Sequence, residues 1–453
     1  MQSVREIKIR DTLSGAAATL EARDPPKVGI YACGPTVYSR IHVGNARPFV
    51  VFSLLRRFLA HEGYEPSLVI NVTDINDKIY EAARAAGVDS AEHAAEMTRL
   101  YLADTEALGL GRPDAEPLAT ETVTEIVALI EALIEGGHAY ESQGDVYFRV
   151  RSFNGYGKLS NRDPEEMDQG EEAGSARLKE SALDFALWKA RKEGEDTAWP
   201  SPWGEGRPGW HIECSAMAEK LLGTDFEIHG GGSDLVFPHH ENEIAQTEAA
   251  RGLPLARIWM HNGMIRTADE KMSKSLGNIF QLHEAVERFG AAAVVAYLSS
   301  GHYRRPLEFS EEALREAQAR LSRIANYLQQ PAVTGASGAF VSERREDFLV
   351  ALADDFNTPR AWAALFEIVA EGNRRPLAGA HETLAELLEL LGLESLLDGA
   401  VAAGAEIEAL NAQRDEARAA GDYERSDELR DRLAALGWEV RDRPGGGQLR
   451  PRG

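Results

Sequence analysis

Short apolar runs alternate with helix-period stretches along the first part of the chain. Lys27-Val28-Gly29-Ile30-Tyr31-Ala32 has the length and apolar character of a buried strand, and Cys33-Gly34-Pro35-Thr36 follows it as a natural stop. Beyond His42-Val43-Gly44-Asn45, the residues Phe49, Val50, Phe52, Leu54, Leu55, Phe58 and Leu59 recur at the spacing of a helix buried along one face. Ser67-Leu68-Val69-Ile70-Asn71 then reads as a second buried strand. Strand, helix and strand with a crossover of this length predict a parallel unit of a doubly wound, Rossmann-like α/β sheet, whose ligands lie beyond the carboxyl ends of the strands. Past Gly290 the period turns helical, and the repeats at Leu314 to Leu328, Phe348 to Leu352, Ala361 to Val369 and Leu384 to Leu391 predict an α-helical bundle. The small-residue stretch Gly399 to Ala405 separates it from two charged amphipathic helices within Glu406 to Leu436. Trp438-Glu439-Val440-Arg441, the turn Gly445-Gly446-Gly447 and Gln448-Leu449-Arg450 predict a small terminal hairpin.

Length changes this picture only by adding domains, because 453 residues exceed what one core usually spans. A hydrophobic content of 43% and a charged content of 27% describe an ordinary globular chain. Met1 to Lys8 has no apolar signal core, and no later segment reaches transmembrane length without charges, so a cytoplasmic protein with no membrane association is expected. The net charge of −24 argues against broad, sequence-independent binding of nucleic acid. It leaves room for RNA held on one face, and the tail from Arg441 to Arg452 is locally basic.

Candidate chemistry gathers at the ends of these elements. His42 and Asn45 stand at the start of a helix, where free backbone amides and the dipole favour an anion such as phosphate, and Gly44 leaves room for close approach. Lys271-Met272-Ser273-Lys274-Ser275 offers two ammonium groups and two hydroxyls near Gly277, a set suited to polyphosphate, although two lysines within five residues, taken alone, more often mark a solvated loop. Cys33 and Cys214 are the only cysteines, and a disulfide between them is not expected in the cytoplasm. Pro238 is expected to open a helix on which His239 and Glu243 share a face, so that two thiolates, an imidazole and a carboxylate form a plausible tetrahedral zinc set. His240 is a rival ligand that spacing alone does not exclude. Gly230-Gly231-Gly232 after Phe226-Glu227-Ile228 predicts a ligand-facing turn at a strand end.

HVGN after the first strand and KMSKS after a later one resemble the two nucleotide motifs of class I aminoacyl-tRNA synthetases, with Asn45 in place of the usual final histidine of the first. YACGPTVYSRIHVGN, NVTDINDKI, PSPWGEGRPGWHIECSAM, FEIHGGGSDLVFPHHENEIAQ, KMSKSLGN, LSSGHYR and DDFNTPRAW resemble the cysteinyl-tRNA synthetase family over nearly the whole chain. The resemblance implies activation of L-cysteine with ATP to cysteinyl-adenylate, followed by transfer to the terminal ribose of tRNA-Cys. It assigns one zinc ion per chain to Cys33, Cys214, His239 and Glu243. Cysteine contacts fall on Cys33, Gly34, Thr36, Thr73, Trp210 and His229, and ATP with magnesium on His42, Gly44, Asn45, Gly231, Asp234 and Lys274. His42, Asn45, Lys271 and Lys274 would stabilise charge at the transferring phosphorus.

Zinc with soft ligands gives a physical reason for cysteine over serine, since it favours a sulfur and drives a thiol to thiolate. No separate editing domain is then needed, and the charged stretch from Gly155 to Trp199 is too short to house one. The implied organisation is a first catalytic half with a helical insertion over 1–154, a connective segment over 155–204 and a second catalytic half over 205–288. A stem-contact and helical-bundle domain over 289–400 and a small anticodon-recognition domain over 401–453 follow, and the expected state is a monomer. Two other readings use the same residues: a ligase that passes activated cysteine to a small amine, for which the helical extension and basic tail are superfluous, and an inactive zinc and RNA-binding paralogue, against which His42, Lys271 and Lys274 argue.

Overall fold

The computed structural model describes residues 5–162, 177–267, 270–271, 280–397, 405–436, 438–443 and 446–451. In chain order these form β1 (Lys8–Arg10), β2 (Ala17–Thr19), β3 (Lys27–Ala32), α1 (Val43–His61), β4 (Glu65–Ile70), α2 (Asp77–Ala86), α3 (Ser90–Glu106) and α4 (Val123–Glu135). Then come β5 (Ala139–Ser142), β6 (Asp145–Phe148), β7 (Phe185–Ala190), β8 (Gly206–Pro208), α5 (Trp210–Leu222), β9 (Phe226–Gly232), α6 (Glu241–Arg251) and β10 (Ala256–Asn262). The chain divides into two compact units, one of 1–41, 59–103 and 112–263, the other of 42–58, 104–111 and 264–453.

The first unit is built on a parallel four-stranded sheet in the order β10-β9-β3-β4. Ile30 pairs with Leu68 on one side and Ile228 on the other, which makes β3 a central strand and accounts for its continuous apolar run. The glycines expected to form a turn instead belong to the strand. Gly230, Gly231 and Gly232 pair with Met260, His261 and Asn262, because neighbouring ladders satisfy their backbone, and the turn comes one step later at Ser233–Leu235. Strands β5 to β8, from Ala139 to Pro208, form an antiparallel sheet in the order β5-β6-β7-β8. Val146, Phe148, Phe185, Leu187 and Trp188 of that sheet share one apolar core with Tyr31, Val69, Ile130, Ile212, Met217 and Trp259.

In the second unit, β11 (Ile265–Thr267), β12 (Glu270–Lys271), α7 (Leu282–Phe289), α8 (Ala291–Leu298) and β13 (Leu307–Phe309) precede a run of helices. These are α9 (Glu311–Leu328), α10 (Ala339–Ala353), α11 (Thr358–Gly372), α12 (Ala380–Leu390), α13 (Ala405–Ala419) and α14 (Tyr423–Ala435), followed by the antiparallel pair β14 (Trp438–Arg443) and β15 (Gly446–Pro451). Ser310 caps α9 through its side chain and Asn357 caps α11 ahead of Pro359, so both helix starts are written in the sequence. Ile407, Leu410, Leu429, Leu433, Trp438 and Val440 form a separate small core near the carboxyl end. Lys274 and the rest of 272–279 lie outside the described residues, as does Arg452, and of Lys271 only the backbone is described. No helix among the described residues is long and apolar enough to cross a membrane.

Candidate metal centre and nucleotide motif

Cys33 leaves the carboxyl end of β3, its amide still bonded to the Gly230 carbonyl at 2.9 Å. Cys214 lies on α5, a helix buried without interruption from His211 to Ala218, which places its thiol in the interior. His239 and Glu243 were expected on one helix opened by Pro238. The regular helix α6 begins only at Glu241, because Phe237 is extended ahead of the proline (φ −139°, ψ 134°), and His239 sits in the irregular turn Val236–His240. The convergence survives this change. The ligating atoms of Cys33, Cys214, His239 and Glu243 all lie within 4.8 Å of one another, and all four residues are buried. His239 Nε2 stands 3.1 Å from Glu243 Oε1, and Cys33 Sγ stands 3.5 Å from the same oxygen. Glu241 and Glu243 in the first turn of α6 suit the positive end of its dipole.

A second set, Cys33, His229, His240 and Glu243, meets the same distance condition. His240 Nε2 faces Cys33 Sγ at 3.3 Å, and His229 Nε2 faces Glu243 Oε2 at 2.8 Å. The histidine rivalry seen in the sequence is therefore present in three dimensions, and donor chemistry separates the candidates: only the first set contains both thiols. Around both lies a shell of imidazoles. His239 Nδ1 meets His211 Nδ1 at 3.0 Å, while His239 Nε2 donates toward the Glu243 carboxylate, the acceptor of that pair. His240 Nδ1 meets His261 Nε2 at 2.7 Å, and His261 Nδ1 meets Thr12 Oγ1 at 2.7 Å. Burial drives His211 and His240 well below the ordinary histidine range, and burial with His229 beside it takes His261 to about 3. These three are neutral ligand supports.

His239 runs the other way. Burial opposes its charge, yet the Glu243 carboxylate and Cys214 hold the imidazole above its ordinary value. A hydrogen bond from Cys33 outweighs burial and holds Cys214 down to about 6, while burial first and Cys214 second push Cys33 well up. Cys214 is thus the more acidic of the two sulfurs. His240 was a rival ligand already in the sequence, whereas His211 and His261 escaped notice as site residues because they come from a helix and a strand whose proximity only the fold creates.

The other expected contact residues of this unit are Gly34, Thr36, Thr73, Trp210, His229, Gly231 and Asp234. Gly34 donates its amide to Asn71 Oδ1 at 2.9 Å, and a side chain at 34 would run into the Asn71 carbonyl, so this close approach requires glycine. Thr36 and Thr73 bridge in parallel, with Asn71 Nδ2 bonded to Thr73 Oγ1 at 3.3 Å. The Trp210 ring lies 4.4 Å from that of His239 and remains 37% exposed, an apolar wall open to a ligand. His229 stacks on Trp259 at 4.3 Å. Gly231 is held in β9, and Asp234 is exposed on the turn after it. A cavity of about 480 Å³ lined by Ile79, Ala94, Leu118 and Trp199 contains none of these residues.

The nucleotide motif falls in the second unit. Gly44 N donates to His42 Nδ1 at 3.0 Å, which leaves the proton on Nε2. Asn45 Oδ1 accepts from His42 N at 3.2 Å, so the amide that replaces a histidine caps the turn and keeps its NH₂ as a donor. His42 pairs with Gln281, and Val43 N donates to the Phe280 carbonyl at 3.0 Å. The fold therefore binds HVGN to the residues that directly follow KMSKSLGN, although more than two hundred positions separate them in sequence.

Residues 19–319 match the family described as tRNA synthetases class I (C) catalytic domain, 347–395 the DALR domain, and 402–450 the cysteinyl-tRNA ligase anticodon binding domain. The chain is 48% identical over 460 residues to a cysteine–tRNA ligase of Halorhodospira halophila, covering 98% of this chain and 99% of the relative. It is 44% identical over 467 residues to that of Brevibacillus brevis, covering 97% and 98%. Among solved structures it is similar to Mycobacterium tuberculosis methionyl-tRNA synthetase bound by methionyl-adenylate, at a TM-score of 0.58 and 16% identity over 94% of this chain and 99% of the other. It is likewise similar to the Agrobacterium radiobacter K84 LeuRS ternary complex, at a TM-score of 0.61 and 11% identity over 83% and 85%.

Proposed function

As a member of the cysteinyl-tRNA ligase family, this chain activates cysteine with ATP and transfers it to tRNA-Cys, and we propose that it selects cysteine through one zinc ion held by Cys33, Cys214, His239 and Glu243. The observation that carries this reading is the convergence of those four buried side chains from separate segments, including both sulfurs of the chain. Zinc bound there supplies a centre that accepts a thiolate in preference to an alcohol oxygen. The protein residues do the rest. Trp210 and His229 wall the pocket, Gly34, Thr36 and Thr73 line it, and His211 orients His239 from behind.

Activation joins the cysteine carboxylate to the α-phosphorus of ATP and releases pyrophosphate. His42 Nε2 and the Asn45 side-chain amide are the donors we assign to the phosphates, with Lys271 and Lys274 as mobile charges and magnesium accompanying the nucleotide. Gly231 and Asp234 are assigned to adenosine and ribose. In the second step the terminal ribose hydroxyl of tRNA attacks the activated carbonyl and AMP leaves. We assign stem contact to 289–400 and anticodon recognition to 401–453, and place the protein in the cytoplasm, where its thiols stay reduced.

The test is metal analysis of the purified protein together with cysteine-dependent and serine-dependent ATP–pyrophosphate exchange, in wild type and Cys214→Ser. Wild type should hold one zinc and reject serine by several factors of ten, each worth about 1.4 kcal/mol. Cys214→Ser should lose both properties. If the variant keeps its metal and its preference, the zinc assignment is wrong. His239→Ala and His240→Ala, compared for metal content, decide between the two ligand sets. Attachment of labelled cysteine to tRNA distinguishes this enzyme from a ligase that uses a small amine.

A further inference from the structure

The turn between α10 and α11 holds two successive residues in the left-handed region, Asp355 at φ +59° and Phe356 at φ +46°. Neither is glycine, and residues with side chains persist there only when their surroundings hold them. The surroundings are specific. Asp355 Oδ1 accepts from the Tyr303 hydroxyl at 2.6 Å, and Oδ2 accepts from Arg304 Nε at 2.7 Å and lies 3.5 Å from His302 Nε2. One carboxylate thus grips three consecutive residues. Thr358 Oγ1 adds a bond to the Gly301 carbonyl at 3.4 Å, and Trp362 Nε1 one to Ser299 Oγ at 3.3 Å.

The gripped segment has a second attachment. The His302 carbonyl accepts from Arg47 Nη2 at 3.2 Å, and Arg47 is fully buried in the first turns of α1, directly after Asn45 and Ala46. Phe356 itself packs on Phe58 of the same helix, with ring centroids 6.4 Å apart. The strained turn therefore reaches α1 at two points, one of them beside the donors assigned to ATP. A glycine at 355 would relieve the backbone and lose the grip; an aspartate keeps the grip at the cost of strain.

We propose that Asp355 is a positioning residue for the adenylation step: it fixes His302 to Arg304, through them Arg47, and so the amino terminus of α1 that presents His42 and Asn45 to ATP. This rests on the reading of His42 and Asn45 as phosphate contacts, and the experiment separates the two. The assay is ATP–pyrophosphate exchange by the full chain, with KM for ATP, KM for cysteine and kcat measured for Asp355→Gly, Asp355→Asn, Tyr303→Phe and His42→Ala, alongside circular dichroism and zinc content. Asp355→Gly should raise KM for ATP and lower kcat, together by about tenfold, the effect of one charge-assisted hydrogen bond, while KM for cysteine and zinc content stay put. Asp355→Asn, which tolerates the left-handed region and keeps an acceptor for Tyr303, should recover most of the loss.

Wild-type ATP parameters in a folded Asp355→Gly protein, or ATP and cysteine parameters that move together, would overturn the proposal. If Asp355→Gly does not fold, Tyr303→Phe decides, since it deletes one hydroxyl and should show the same split at smaller amplitude. His42→Ala reports on the premise. Exchange abolished there and intact in Asp355→Gly removes only the positioning role, whereas exchange intact in His42→Ala removes the phosphate assignment as well.

Discussion

Replacing Gly44 by alanine should separate activity from stability. The added methyl would stand 2.8 Å from His42 Cε1 and 2.9 Å from Nδ1, both too close, while on its other side Ile265 Cβ lies at an ordinary 3.8 Å. The imidazole is the part that can yield, so the ring swings away and gives up its 3.0 Å bond from the Gly44 amide. Its Nε2 proton then no longer points where the turn had aimed it. A displacement of about 1 Å at a group that meets the transferring phosphate costs roughly a hundredfold in rate, or about 2.7 kcal/mol of barrier.

Stability should barely respond. Residue 44 lies within α1 and outside the left-handed region, so alanine gains about 0.5–1 kcal/mol over glycine in a helix. The lost hydrogen bond costs about 1 kcal/mol, which leaves the balance near zero. The assay is cysteine-dependent ATP–pyrophosphate exchange beside thermal unfolding. A large fall in exchange with an unchanged melting temperature and unchanged KM for cysteine is the expected result. Wild-type exchange from a folded Gly44→Ala protein would refute both the steric reasoning and the role given to His42.

Two further perturbations act away from the nucleotide. The buried Glu241 carboxylate accepts from the amides of Gly157 at 2.9 Å, Leu159 at 3.3 Å and Ser160 at 2.8 Å, so Glu241→Ala strands three donors at about 1 kcal/mol or more each and should lower the urea midpoint and the retained metal, with Glu241→Gln milder. An alanine variant as stable as wild type would contradict this. At Asp77, burial acts to raise the carboxyl, but Lys189 at 3.0 Å and the buried Arg207 outweigh it and hold the group below its usual range. Its contribution is therefore present at neutral pH and lost as pH falls below about 4. Asp77→Asn should melt a few degrees lower than wild type at pH 7, and the gap should close in acid; a gap that is constant with pH would exclude the pairing as its cause.

The elements that were legible in the chain are those whose signal is local. Lys27 to Ala32 is apolar because β3 is central, Phe49 to Leu59 is apolar because α1 is buried there, without a break from Phe49 to Leu55, and the terminal hairpin announces itself by three glycines. Errors arose where a neighbour overrides a local signal. Gly230 to Gly232 carry turn chemistry, yet two parallel partners draw them into β9. Pro238 marks a helix start, yet the residue before it is extended and α6 begins three positions later. The strands β5 to β8 give a weak pattern because their pairing spans residues from Ala139 to Pro208. Of the imidazole shell only His240 gave a local signal, beside His239 and Glu243; His211 and His261 are ordinary residues of a helix and a strand until the sheet assembles.

That assembly explains why the donors meet where they do. In the order β10-β9-β3-β4, the chain leaves β3 toward β4 on one side and β9 toward β10 on the other, so the connections diverge at the β3–β9 junction. A crevice opens there beyond the carboxyl ends of the strands. Cys33 is the first residue after β3, His261 is the last but one of β10, and His229, in the middle of β9, pairs with Tyr31 near the end of β3. The sulfur recognition proposed for Cys33 and Cys214 would occupy the position that the topology reserves for the substrate of the first reaction. On that proposal an amino acid without sulfur is turned away before any adenylate forms, and no hydrolytic site is required downstream. Serine should consequently fail already in pyrophosphate exchange, without tRNA; serine that supports exchange but not charging would place the selection later and detach it from Cys33 and Cys214.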